Sequence, residues 1–409
     1  MKIPHVSLRP ISRHGNEQSR DLSIMILRSV VFSILLLVGS FTTSELRAQI
    51  AVQAKDADAI QKTFDSSIED LRESVKAIRA AQLRHYFADS ELSYDFREKW
   101  EKEVAKGDEI YAQVRKNAME VFDNTENPGP HLLEIVRNLN AKSYEDGHIE
   151  NCYRVTKRLL ELIPNDPNLK TDMARISISA NDFAAAQKYG LPSMIEKFSP
   201  IEKILFEQIE MLKYNWAEEL KMRAKSAEAE EPLPLVELEV KDKGKIIIEL
   251  FEDEAPETVG NFISLADAGF YDNMVFHPVL SHFLVETGSG TLQERRSAGY
   301  NIHDENDRPD RRYHLRGAIG MATNLEERDS ASSRFYILRV SAPGLDPTNT
   351  VFGRVVSGME IVDSLTNTMK TNLKNEEEVI EGAIPDLIVT AKVTRRRKHG
   401  KYEPNKISR

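Results

Sequence analysis

The chain has 409 residues, 29% of them charged and 41% hydrophobic, with a formal net charge of −10. That length exceeds what one ordinary core serves, so two or three domains are expected, of globular rather than disordered or multi-span membrane type. The acidic total argues against nucleic acid as principal partner, and the single cysteine, Cys152, rules out an intrachain disulfide.

Lys2, Arg9, Arg13, Arg20 and Arg28 precede the apolar run 30–38 (VVFSILLLV), and Leu46-Arg47-Ala48 follows as an export cleavage site. An apolar run of about ten residues fits the h-region of a signal peptide better than a bilayer span. Residues 1–48 are therefore expected to be a signal peptide, cleaved after Ala48, that sends the protein to the periplasm or another extracytoplasmic space. An uncleaved membrane anchor is the alternative, and membrane contact is expected only in that case.

Apolar residues then recur in steps of three and four at Ala57, Ile60, Phe64, Ile68, Leu71, Val75 and Ile78, one face of a long amphipathic helix. A second run (Trp100, Val104, Tyr111, Val114, Ala118, Val121) ends in the loop NTENPGP at 124–130. The pair reads as an antiparallel hairpin, with a coiled-coil dimer as the alternative. Next, Gly147 and Asn181, Ile149 and Phe183, and Cys152 and Ala186 are each 34 residues apart. That is the period of the tetratricopeptide repeat, which this stretch resembles. Generic antiparallel helices with coincidental spacing remain the other reading, since the large aromatic positions are mostly missing and Pro192 interrupts the last helix. The expected layout is a helical domain at 49–220, with repeats at about 133–200 and room for a protein partner, followed by an interdomain linker at 221–234 (KMRAKSAEAEEPLP).

Val236, Leu238 and Val240 alternate with Glu237 and Glu239, and Lys241-Asp242-Lys243-Gly244 turns the chain back into a second strand. Short strands continue to Val393, as a closed antiparallel barrel requires. Five blocks lie in order: GKIIIELFEDEAPETVGNF (244–262), GFYDNMVFH (269–277), FHPVLSHFLVETGS (276–289), GAIGMA with SSRFYIL (317–322, 332–338), and LDPTNTVFGRVVSGMEIVDSL (345–365). Together they make residues 235–394 resemble a cyclophilin, the peptidyl-prolyl cis-trans isomerase family. The resemblance implies a closed barrel with flanking helices that isomerises prolyl bonds of protein substrates during folding, without a cofactor.

Rotating a prolyl bond loses amide resonance at a barrier near ~20 kcal/mol. A catalyst needs an apolar pocket for the ring and a donor that draws the nitrogen lone pair out of conjugation. The resemblance assigns that donor to an arginine whose place is taken by Pro278, which has no side-chain donor. Glu286 and Arg334 stand at two glutamine positions, Gly344 at a tryptophan, Asn349 at a histidine and Tyr336 at a phenylalanine, while Phe283, Leu284, Ala322 and Leu345 keep the apolar floor. Substrate-binding candidates are accordingly Phe283, Leu284, Ala322, Tyr336, Leu345 and Asn349. Glu286 and Arg334 are expected to face each other, Arg334 supplying the missing cation; a purely structural ion pair is the alternative. A barrel that binds proline segments or acts as a scaffold, without catalysis, is the rival function.

His277 and His282, five residues apart, would sit on opposite faces of an extended strand, and no metal site is expected from them. The loop 289–300 carries Glu294, Arg295 and Arg296 and reads as a solvated surface loop. The basic tail 395–409 reads as a flexible, solvated end.

Overall fold

The computed structural model describes residues 43–86, 93–145, 147–190, 192–324, 327–371, 377–398, 400 and 402–408. The apolar run expected as a signal peptide core lies outside them. Contacts divide the chain into two compact units, Met1–Pro128 and Gly129–Arg409.

In the first unit, α1 (Thr43–Tyr86) and α2 (Ser93–Asn124) pack along one another. Phe64, Val114, Ala118, Val121 and Phe122 are buried in their seam. Val75 departs from its expected place and is exposed, while Ser67 and Ser74 are buried instead. These small side chains suit a close crossing: a Cβ added at Gly107 of α2 would stand 2.7 Å from Ile78 Cδ1 and 3.2 Å from Ser74 Oγ.

The second unit opens with α3 (Pro130–Glu145), α4 (Ile149–Leu162), α5 (Pro167–Ser179) and α6 (Phe183–Tyr189), followed by α7 (Pro200–Glu207) and α8 (Ile209–Ala227). The ends of α3 and α5 and the starts of α4 and α6 are each offset by 34 residues. Gly147 and Asn181 both take left-handed backbone, φ 91 and 62, in the two intervening turns. Cys152 and Ala186 are fully buried at equivalent positions. Side-chain caps fix the helix starts: Asp166 accepts from the Asn168 and Leu169 amides, Asp182 from the Ala185 amide, and Ser199 with Glu202 forms a capping box on α7.

The barrel follows. It is built from β1 (Leu235–Val240), β2 (Gly244–Leu250), β3 (Met274–Val275), β4 (Leu284–Thr287), β5 (Ala318–Met321), β6 (Phe335–Leu338), β7 (Val351–Ser357) and β10 (Leu387–Arg395), with a separate ribbon of β8 (Met369–Thr371) and β9 (Glu377–Val379). The eight strands pair antiparallel in the order β3-β10-β1-β2-β7-β5-β6-β4. Chain beyond β3 then meets β4, His277 N donating to Glu286 O and Glu286 N to Pro278 O, both at 2.8 Å, so the sheet curls into a nearly closed barrel. Its interior holds Val236, Leu238 and Val240 as the alternation predicts. Phe262 of α9 (Pro256–Asp267) meets Phe335 edge-on at 5.1 Å within the same core.

The segment expected as an interdomain linker is helix through Ala227. A lysine-, glutamate- and alanine-rich stretch is also good helix composition, here supported by the Arg223–Glu219 pair at 2.7 Å. Nor do the helices stand apart from the barrel. Arg312, with no exposed side-chain surface, donates to Glu219 of α8 at 3.2 Å and to barrel residue Glu254 at 2.9 Å, stacking 4.1 Å over Phe251. Asn181, the turn residue of the second helix pair, exchanges hydrogen bonds with the Arg316 backbone (3.2 and 3.3 Å). Leu315 and Val340 complete a core with Phe183, Phe198, Leu205 and Leu212. The division therefore falls at 128/129 rather than within 221–234. The tail also differs from expectation. Arg397 pairs with Asp253 at 2.5 Å, Arg396 with Asp267, and Ile407 bridges to Asn301, so opposite charges and a β-bridge hold it along the barrel.

Where α3, α5 and α7 meet the barrel, Glu202 accepts from the Tyr144 hydroxyl (2.5 Å), Arg175 Nε (3.1 Å) and the Ser199 amide (2.6 Å). Burial alone would raise its pKa, but the Arg175 charge and these donors prevail and hold it below the ordinary 4.5. His282, its ring 5.0 Å from that of Tyr144, is held below the ordinary 6.5 chiefly by burial, with the Glu202 charge opposing. Unfolded chain thus takes up a proton at His282 before folded chain does, and at Glu202 the unfolded carboxylate is likewise protonated first. Urea midpoints are expected to fall as pH drops below 6.5, with a further loss below 4.5. His277 is likewise held below 6.5, by burial and then the Arg295 charge, so His282→Asn, which tolerates the positive φ of 54 at this position, should shrink the first limb; an unchanged profile in that variant would exclude His282 as a contributor.

Candidate active site

The run 276–289 makes a tight turn at 280–284, where Leu280 N donates to Leu284 O at 2.9 Å. Arg339, buried to 1% exposure, holds this turn: its amide donates to Phe283 O (2.8 Å) and Nη1 to Leu280 O (3.4 Å), while Nη2 serves the Val362 and Leu365 carbonyls. Burial pulls its guanidinium down to about 10. The turn also separates His277 and His282: His277 Nδ1 pairs with Thr368 Oγ1 at 2.9 Å, while His282 sits against Tyr144. Among the described residues no histidine, cysteine or carboxylate cluster suited to a metal occurs.

Phe283, Leu284, Ala322, Tyr336 and Leu345 fall in one apolar cluster. Leu284, Ala322 and Tyr336 are buried at 9%, 8% and 3% exposure, and Phe283 and Leu345 are partly covered. Phe283 also reaches a second cleft of 420 Å³, shared with Tyr144, Pro200 and Ile201. Asn349 works differently from its expected role: Nδ2 donates to Met321 O (2.9 Å) and Thr323 Oγ1 (3.0 Å), bracing the chain around β5. A Cβ at Gly344 would meet nothing within 4 Å, so the tryptophan position of the resemblance is open space.

Glu286 lies opposite Tyr336 across β4 and β6, and Arg334, two residues before Tyr336, shares that face. The expected pair forms, Arg334 Nη1 donating to Glu286 Oε1 at 2.9 Å, with the arginine side chain 46% exposed and the glutamate 16%. Both line a cleft of 580 Å³ together with Pro278, His277 and Arg295.

Sequence reasoning missed the support behind Tyr336. His314, its side chain fully buried, directs Nδ1 to Asp346 Oδ1 and Nε2 to the Tyr336 hydroxyl, each at 2.7 Å. In the neutral imidazole with Nδ1–H given to the carboxylate, Nε2 accepts and the phenol donates. Burial, then the charges of Asp346 and Glu286, push that phenol well above its ordinary range, making it an orienting group rather than a proton source. Gly320 makes room for it, since a Cβ there would stand 2.5 Å from the Tyr336 oxygen. The signal was available: a buried tyrosine in a phenylalanine's place needs a partner. Tyr336→Phe orphans His314 Nε2 and is expected to cost about 1–3 kcal/mol in urea unfolding. A double-mutant cycle with His314→Leu should show coupling of that order, and additive losses would dismiss the relay.

The barrel thus carries an apolar cluster beside the face on which Glu286 and Arg334 pair. Residues 235–385 match the family described as cyclophilin type peptidyl-prolyl cis-trans isomerase/CLD. Peptidyl-prolyl cis-trans isomerase-like 1 of Emericella nidulans is 35% identical over 141 residues, 34% of this chain and 83% of that protein. Peptidyl-prolyl cis-trans isomerase B of Bacillus subtilis is 36% identical over 128 residues, 31% of this chain and 87% of its own. A crystal structure of a cyclophilin type isomerase from Cryptosporidium parvum, in the presence of the dipeptide Ala-Pro, matches 40% of this chain and 99% of that one at 23% identity and TM-score 0.33. The chain belongs to the cyclophilin-type peptidyl-prolyl cis-trans isomerase family.

Proposed function

We propose that this chain is an exported isomerase of prolyl bonds in protein substrates, with Arg334 as the catalytic donor in place of the arginine absent at Pro278. The carrying observation is the Arg334 guanidinium, 46% exposed at the cleft that Pro278 also lines. Among the described residues one of its five N–H donors is engaged, by Glu286, and the guanidinium's other donors are the ones proposed to reach the twisted amide. Catalysis of this kind is electrostatic: a donor aimed at the amide as conjugation is lost stabilises the rotated state more than the planar one. Glu286 positions that donor. The helix pairs offset by 34 residues support a tetratricopeptide-like element that takes a protein partner. The basic stretch and apolar run before Ala48 support export, which sequencing the mature N-terminus would check.

Proline-segment binding without catalysis is the second reading. The near-complete burial of Tyr336 and Ala322 favours it, because a covered floor leaves little depth for the ring. Exchange NMR of acetyl-Ala-Ala-Pro-Phe-amide with the full chain separates the two. Faster cis/trans exchange supports the isomerase, and shift changes with unaltered exchange support the binder.

A further inference from the structure

Acidic side chains outnumber basic ones in this chain, 65 to 55, yet among the described residues that line the 580 Å³ cleft beside Pro278 the charged ones are Arg295, Arg334 and the carboxylate Glu286. That carboxylate is committed to Arg334. Arg295 is exposed and makes no hydrogen bond or ion pair among the described residues. Its neighbours do not neutralise it within the cleft: Glu294 is exposed and does not line it, and Arg296 Nη1 donates to Asp272 O at 3.3 Å.

The loop that carries Arg295 is held in shape. Thr291 N donates to Glu294 O and Arg296 N to Ser289 O, both at 2.8 Å, and Glu294 N donates to Thr291 Oγ1 at 3.0 Å. Gly290 has φ 98, and a Cβ there would press on the Glu294 carbonyl and stand 2.8 Å from Arg296 N, so only glycine permits the turn. The cation is thus presented by a preorganised backbone rather than by a loose loop. Beside it, Leu292 and Val379 line the same cleft at 52% and 66% exposure, apolar surface suited to the methylenes of a ligand side chain.

We propose that this cleft selects proline segments bearing one carboxylate side chain, aspartate or glutamate, next to the proline, and that Arg295 is the residue that reads it. Among the described lining residues, two guanidinium groups face one carboxylate, and the Arg295 cation is the one that a ligand carboxylate would balance. The assignment rests on the barrel being a proline-segment site.

The test titrates the full chain with acetyl-Ala-Glu-Pro-Ala-amide and acetyl-Ala-Pro-Glu-Ala-amide, their glutamine counterparts, and versions with alanine for proline. At least one glutamate peptide is expected to bind about threefold to tenfold more tightly than its glutamine twin, a gap that narrows in about 0.5 M salt. Arg295→Gln should bring the ratio to about one, and Arg295→Glu should favour a lysine peptide instead. A ratio near one in the unaltered protein, or an unchanged ratio in Arg295→Gln, overturns the assignment. Glutamate peptides that bind equally well without proline would leave the carboxylate reading standing and remove the proline-site reading. No binding by any peptide would remove both.

Discussion

Arg334→Ala is expected to slow the catalysed exchange of an Xaa-Pro peptide by about 100-fold, the usual cost of deleting one donor aimed at a transition state. The fold itself should barely respond, because the side chain is 46% exposed and its pair with Glu286 stands at the surface end of two strands. That separation makes the variant informative: activity falls while the urea midpoint holds. Arg334→Lys keeps the charge but loses the planar fork, so an intermediate loss is expected. Glu286→Gln leaves the guanidinium in place with a weaker anchor and should retain most activity. Full exchange activity in Arg334→Ala would remove the relocated-donor mechanism and leave the apolar floor to act alone.

Residues that meet through strand pairing were the legible part of this site. Alternation in 235–250 gives the first hairpin, and the five ordered blocks give the barrel and its floor. Arg334 and Glu286 could be paired because the resemblance puts their positions side by side in the barrel, and the register of β4 and β6 brings them together. The His314–Asp346 support could not be read by spacing, since it joins two loops 32 residues apart through a buried ring. Asn349 is a candidate in the sequence because it stands at a histidine position of the resemblance, but at 5% exposure its amide donates to Met321 and Thr323. The stretch 221–234 has a composition that serves equally as linker or as charged helix; its first part, through Ala227, is helix, where Arg223 pairs with Glu219 and Arg312 donates to Ser226. Charge alone likewise could not show that the basic tail finds Asp253 and Asp267 on the barrel.

Asp363→Ala should be the most destabilising single change, at about 3–5 kcal/mol, because it strands a buried cation. Arg316 and Asp363 have side-chain exposures of 3% and 1%, and two hydrogen bonds join them, Nη1 to Oδ1 at 2.9 Å and Nη2 to Oδ2 at 2.6 Å. The same guanidinium reaches Arg339 O at 2.6 Å and Glu150 of α4 at 3.3 Å, while its Nε already lacks a partner. Replacing both residues, Arg316→Met with Asp363→Leu, removes the stranded charge and should cost less than Asp363→Ala alone. The location of the loss matters as much as its size. Since Arg316 ties α4 and the Asn181 turn to the barrel, hydrogen exchange in Asp363→Ala should quicken together in α4–α6 and in β5–β7. Protection lost in the strands alone would mean that the helices fold as a separate module, and the shared core of Leu315, Val340 and Phe183 would then contribute little to coupling the two.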